Sequence, residues 1–134
     1  MAAKEKQYFH APPFRYDIDA AWRLIERSPR ETHRIKVSEW ARALGLAKTP
    51  EEYQADGKIP LVNYNVDEEY AKTVDISKPL IFVDVSGKGE EATYIMIDGG
   101  HRLRRAVIEG VEELPGYALD KAEAALIREV KFYR

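Results

Sequence analysis

The segment Tyr94-Ile-Met-Ile-Asp98-Gly99-Gly100-His101-Arg102-Leu103-Arg104-Arg105-Ala106 constrains the fold more than any other stretch of the chain. A strand-like run ends at Asp98, two glycines follow, and a helical pattern begins at once. Leu103, Ala106, Val107 and Gly110 form its packing face, and Gly110 stops it near Glu109. A chain built this way must place a strand end directly beside a helix N-terminus.

The flanking sequence supplies the sheet. Leu80-Ile-Phe-Val-Asp-Val85 is almost wholly apolar, the pattern of a strand buried on both faces. Ser86–Glu91 has turn chemistry and Ala92–Ile97 reads as the returning strand. Further strands are expected over Ile59–Val66, Leu114–Leu119 and Val130–Tyr133, with a short helix or helical turn over Asp67–Val74. Pro60, Pro79 and Pro115 fit strand starts, where a missing N–H does least harm. Asp120 and Glu123 open a last helix over Lys121–Glu129.

The N-terminal part has a different rhythm. Residues 1–15, with Tyr8, Phe9, Pro12, Pro13 and Phe14, read as an arm lying across the body. Asp17 caps a helix through Ser28, with Ile18, Ala21, Trp22 and Ile25 as its apolar stripe and Pro29 as its stop. A second short helix starts at Ser38, turns Trp40, Ala43 and Leu44 inward and ends at Gly45. Thr49-Pro50-Glu51-Glu52 is a capping box for a third, running to Gly57. The expected fold class is α+β: a mixed β-sheet with surrounding helices, three N-terminal helices being packed on one side. The chain reads as a single domain over 1–134, with a helical segment at 1–58 and a core at 59–134.

Composition narrows the function classes. With 134 residues the chain can bury a core without staples, and it contains no cysteine, which removes disulfides, thiolate zinc sites and cysteine nucleophiles. The net charge of −2 argues against a broad phosphate-neutralising surface, so any DNA contact must come from a local patch. No apolar run approaches the roughly 20 residues that span a bilayer. No apolar region follows the charges of Met1-Ala-Ala-Lys-Glu-Lys6, so a cytoplasmic location without membrane partners is expected.

The glycine turn carries the chemistry. A helix N-terminus offers unpaired N–H groups and the positive end of the macrodipole, and glycines let a ligand approach the backbone. His101 and Arg102 add donors in the first turn, and Arg105 lies one turn beyond His101. Basic residues at that end are unfavourable in an empty helix, which points to an anion. The same pattern also describes a plain hairpin-to-helix turn with a solvated basic face.

Asp98-Gly99-Gly100-His101-Arg102-Leu103-Arg104-Arg105-Ala106, with Gly110 closing the helix and Leu114-Pro115 opening the next strand, resembles the ParB/sulfiredoxin superfamily. Ser77-Lys78-Pro79-Leu80-Ile81-Phe82-Val83 resembles the strand start before its signature, and the resemblance covers about residues 59–120. It implies a nucleotide-phosphate site at Gly99, Gly100, His101, Arg102, Arg104 and Arg105, binding ATP or CTP with Mg2+. ParB proteins carry Gly-Glu-Arg-Arg-x-Arg here. Gly100 replaces their glutamate and His101 their first arginine, while Arg102 and Arg104 keep the other two, which puts metal-assisted CTP hydrolysis in doubt. Sulfiredoxins carry Gly-Gly-Cys-His-Arg, and Gly100 stands where their cysteine would be, so this chain is not a sulfiredoxin. The Asp-Gly-x-His-Arg form is similar to the stand-alone ParB-like nuclease branch. The helix-turn-helix domain and dimerising tail of a partitioning ParB have no counterpart before Arg134.

Two functions of different class follow. One is a nucleotide hydrolase or nuclease in DNA or plasmid metabolism, with Asp98 and His101 as catalytic residues and Asp98 also holding the metal. The other is a non-catalytic regulatory module that grips a nucleotide or a DNA phosphate. A scaffold that binds no nucleotide is the third reading. Structural roles compete at each position: Asp98 could fix the turn, and His101 could donate to phosphate rather than act as acid or base. His10 and His33 lack metal-spaced partners, and Trp22 and Trp40 fit apolar helix faces. Tyr8, Tyr16, Tyr64 and Tyr94 could stack on a base. Arg23, Arg27, Arg30 and Arg34 could extend a DNA-facing patch or pair with acids. The segment 1–58 could cover the site, form a homodimer or contact DNA.

Overall fold

A computed structural model describes residues 7–55, 57 and 66–130. In chain order its elements are β1 (Tyr8–Ala11), β2 (Phe14–Asp17), α1 (Ile18–Arg27), β3 (His33–Lys36), α2 (Val37–Ala43), α3 (Pro50–Ala55), α4 (Glu68–Ala71), β4 (Leu80–Asp84), β5 (Tyr94–Asp98), α5 (Gly100–Glu109), β6 (Glu113–Leu119), α6 (Lys121–Ile127) and β7 (Arg128–Val130). Helices and strands mix along the chain, as an α+β fold requires. They are distributed over two compact units: Met1–Thr32 with Ile81–Asp98 and Tyr117–Arg134, and His33–Leu80 with Gly99–Gly116. The boundaries cut across the expected division at residue 58.

In the first unit, β1 and β2 form an antiparallel hairpin from Tyr8↔Asp17 to Ala11↔Phe14, and β7 joins the other side of β2 with Tyr16 opposite Arg128. Residues 8–11 and 14–17 are therefore paired strands, not an arm. Their alternation explains why: Phe9, Ala11, Phe14 and Tyr16 meet the core, with Pro12-Pro13 as the turn between them. On the hairpin's other side Arg15 lies 4.1 Å from the Tyr8 ring centroid and 2.7 Å from Glu129.

Asp17 ends the hairpin and caps α1, its Oδ1 accepting the Ala20 N–H at 3.0 Å. α1 turns Ile18, Ala21, Leu24 and Ile25 into a core completed by Ile81, Val83, Ile97, Leu119, Ala124 and Ile127. Trp22 is only half-buried, and Leu24 takes the place on the stripe that it was expected to fill. β4 pairs antiparallel with β5, and β6 is its other neighbour, so all five β4 residues are buried. α6 starts in the expected capping box of Asp120 and Glu123 and stops at Ile127. β7 accordingly begins two residues before the expected strand, whose remainder lies outside the described residues.

In the second unit, β3 pairs antiparallel with the beginning of β6, Ile35 opposite Leu114. Glu112 O then accepts the Val37 N–H at 2.9 Å, and α2 starts there. Its inner face is Val37, Ala41 and the following Leu44, at helical spacing. Trp40 is half-buried and Ala43 exposed, which corrects the expected inner face. α3 has its capping box in place, Thr49 Oγ1 accepting from Glu52 N and Glu52 Oε1 from Thr49 N. α2 and α4 both pack on α5.

The segment over 1–58, expected as an arm followed by helices, thus contains β1, β2 and β3. Of its helices, α1 belongs to the first unit and α2 and α3 to the second. Of the expected strand over Ile59–Val66, residues 59–65, with Pro60 and Tyr64, fall outside the described residues, and Val66 is not in a strand. No helix among the described residues is long and apolar enough to cross a membrane.

Candidate functional site

The start of α5 is shaped by Gly99. Its φ of 121° is one that side-chain-bearing residues rarely adopt, and a Cβ there would overlap Leu80 Cδ2 and lie 3.2 Å from Arg102 Nη2. The turn is thus closed by contact on one side and overlaid by a guanidinium on another. Gly99 is the N-cap, and it provides no side-chain hydrogen bond to the first turn of α5. That turn contains no acidic residue either. α2, whose N-cap is Lys36, likewise lacks a side-chain cap, whereas α1, α4 and α6 have one. Asp17, Asp67 and Asp120 each accept N–H groups at the starts of α1, α4 and α6.

Each basic residue of the motif has a defined place in the second unit. Arg102 Nη2 donates to Pro79 O at 3.2 Å, tying α5 to the chain just before β4. Arg104 is buried; its Nε donates to Glu68 Oε1 at 2.7 Å and its Nη1 to Leu46 O at 3.1 Å. Arg105 donates through Nη1 to Val74 O and through Nη2 to Glu109 Oε1, the latter at 3.2 Å. Together the three arginines fasten residues 46, 68, 74 and 79 around one helix. Arg104 and Arg105 each engage two protein oxygens, and Arg102, bonded to Pro79 O, lies beside the glycine turn.

His101 meets α4. Its Nε2 accepts the Asp67 N–H at 3.1 Å, and the Tyr70 ring stands edge-on to it with centroids 4.8 Å apart. Burial lowers the imidazole pKa. The Asp67 carboxylate pulls it upward and the Arg102 charge downward, and the net shift is down. The ring is therefore neutral near pH 7. With Nε2 accepting, the proton of the neutral ring sits on Nδ1, which makes that nitrogen the donor.

Asp98, the last residue of β5, belongs to the first unit, where its Oδ2 accepts the Trp22 indole N–H at 3.0 Å. Among the described residues no group of three or more His, Cys, Asp or Glu side chains could hold a metal ion. Of the other residues considered from sequence, Arg30 pairs with Glu123 at 2.5 Å and the Trp22 and Tyr117 rings meet edge-on. Both belong to the packing of the first unit.

Sequence reasoning missed Glu68 and Tyr70 as partners of the motif and Arg104 as an interior residue. The available signal was Asp67-Glu68-Glu69, a run of acids opening a short helix upstream of three arginines. A groove of about 680 Å3 lies elsewhere in the second unit, with Val37, Ala41, Ala106 and Val107 in its wall, and none of residues 99–105 lines it. Comparison with known proteins finds no matching family model, curated protein or solved structure.

Proposed function

We propose that the chain is a ParB-like nucleotide-phosphate-binding domain that takes a phosphate at the start of α5. The observation that carries this reading is the uncapped first turn of α5 with Arg102 beside Gly99. The peptide N–H groups and helix dipole supply about half a positive charge, and the guanidinium adds a full one. Gly100 adds no side chain to the approach, while at Gly99 the missing Cβ makes room for Leu80 and Arg102. The His101 Nδ1–H adds a neutral donor. Arg104 and Arg105 support the turn by holding the segments that frame it. ATP or CTP, with Mg2+ as the companion of its phosphates, is the ligand class this chemistry suits.

Between turnover and simple binding, the engagement of His101 and Asp98 favours binding. An imidazole nitrogen that accepts a backbone N–H is not free to take a proton from water, and the Asp98 carboxylate is held by Trp22. A regulatory module gripping a nucleotide or a DNA phosphate is therefore the form of the proposal, and a hydrolase or nuclease is the second reading.

Thermal unfolding with ATP, CTP or GTP and magnesium tests it, beside Arg102→Lys. A ligand that binds only the folded state raises stability by about 2.7 kcal/mol at one hundred times its dissociation constant. The expected result is a nucleotide-dependent rise in Tm that Arg102→Lys weakens, without phosphate release. Phosphate release that is lost in His101→Gln would instead establish the hydrolase. No rise with any nucleotide at millimolar concentration would end both readings.

A further inference from the structure

α4 is one turn long, too short to persist without tertiary contacts. Three of those contacts reach α5: Glu68 to Arg104 at 2.7 Å, the Tyr70 ring to the His101 ring, and the Asp67 N–H to His101 Nε2. Asp67 also builds α4 itself, since its Oδ1 accepts the N–H groups of Glu69 at 2.9 Å and Tyr70 at 3.2 Å. One residue therefore fixes both the first turn of the helix and its attachment.

The attachment depends on a lone pair. Nε2 accepts an N–H only while it is unprotonated, and an imidazolium presents N–H groups at both ring nitrogens. Protonation would leave the Asp67 N–H facing another N–H. We propose that His101 is a pH-operated latch, whose protonation at Nε2 releases Asp67 and loosens α4 from α5.

The charges around the ring set its direction. At the start of α4 the Asp67 carboxylate acts on it and the Tyr70 ring stands edge-on; Glu68 follows on α4, and on its own helix Arg102 acts on it, with Arg104 and Arg105 next in sequence. Glu68 is occupied by Arg104. The Asp67 carboxylate favours the imidazolium, but its Oδ1 is committed to the Glu69 and Tyr70 N–H groups of the α4 cap. Burial and Arg102 oppose protonation, so the latch is closed at neutral pH and opens on acidification. It needs no anion at the start of α5 and stands apart from the phosphate reading.

Amide hydrogen exchange of the full chain, read by NMR as protection factors at each pH, tests the latch alongside the titration of the His101 ring protons. Protection at Asp67, Glu69, Tyr70 and Ala71 is expected to fall about tenfold as His101 titrates, while amides of α1 keep theirs. In His101→Gln, whose amide oxygen accepts without titrating, protection at these four amides should stay flat over the same range. Unchanged protection in the wild type through the His101 titration would overturn the proposal. So would a wild-type loss that His101→Gln reproduces in full.

Discussion

The Arg104 guanidinium is buried within the second unit, 2.7 Å from a Glu68 carboxylate that is about one-third exposed, with side-chain accessibilities of 8% and 32%. A charge in that position tolerates the interior because its partner and the Leu46 carbonyl both accept hydrogen bonds from it. Removing the carboxylate therefore costs more than removing the pair. Glu68→Ala is expected to destabilise the protein by about 2–3 kcal/mol, because the guanidinium is left buried with one acceptor fewer. The double variant Glu68→Leu with Arg104→Met should lie within about 1 kcal/mol of wild type. Urea unfolding of the two decides; equal losses would mean that a guanidinium left without its carboxylate carries no penalty of its own at this position.

Two glycines on α5 separate conformational strain from contact. Gly110 closes the helix at φ 70° with nothing within 4 Å of a Cβ, whereas Gly99 at φ 121° has Leu80 in the way. Gly110→Ala is expected to cost about 1 kcal/mol, the left-handed penalty alone. Gly99→Ala should cost about 3 kcal/mol or more, since strain and overlap add. The comparison is made from denaturant midpoints at a common m-value. A Gly99→Ala no worse than Gly110→Ala would mean that the turn at the start of α5 can relax, and the closeness of Leu80 would lose its meaning.

The caps were legible because they are local. Asp17, Thr49 with Glu52, and Asp120 with Glu123 each lie within four residues of the N–H groups they satisfy, and the sequence pattern names them directly. The apolar run of β4 was equally plain, since only a strand flanked on both sides is buried at every position. Non-local pairings left no such mark. β3 contains one buried residue, Ile35, and its partner Leu114 is some eighty positions away. The interleaving of the two units has the same origin, because contacts between distant segments are not encoded in any local period. The basic motif was visible as a motif, but not the destinations of its arginines. Arg104 looks like surface until Glu68 and Leu46 are brought to it.

Asp98 was open to a catalytic and a structural role, and its bond to Trp22 is the observation that favours the structural one. Its indole N–H reaches Oδ2 at 3.0 Å, and the Trp22 ring also meets Tyr117 edge-on at 6.1 Å. Trp22→Phe keeps an aromatic ring against Tyr117 and loses the hydrogen bond to a charged acceptor, so a loss of about 1–2 kcal/mol is expected. Asp98→Asn keeps an acceptor oxygen and should cost under about 1 kcal/mol. Chemical unfolding of both checks the ranking. If nucleotide turnover is found, and Asp98→Asn abolishes it at near-native stability, the carboxylate is a catalytic group and its bond to Trp22 is incidental.

The lowered pKa of His101 also fixes a sign for stability against pH. In the unfolded chain the imidazole titrates near its ordinary value of about 6.5, while in the folded protein burial holds its pKa below that. Between the two values the unfolded state binds more protons, so folding stability falls as pH drops through this window. Above about pH 6.5 both states hold a neutral ring, and this contribution is constant. His101→Gln removes the proton-binding difference and should flatten the stability profile over the same range, even if its absolute stability is lower. Urea midpoints of wild type and His101→Gln, taken at intervals from pH 7.5 down to pH 5, provide the measurement. Parallel profiles would show that His101 titrates alike in both states, and would remove the thermodynamic basis for a neutral ring that accepts from Asp67.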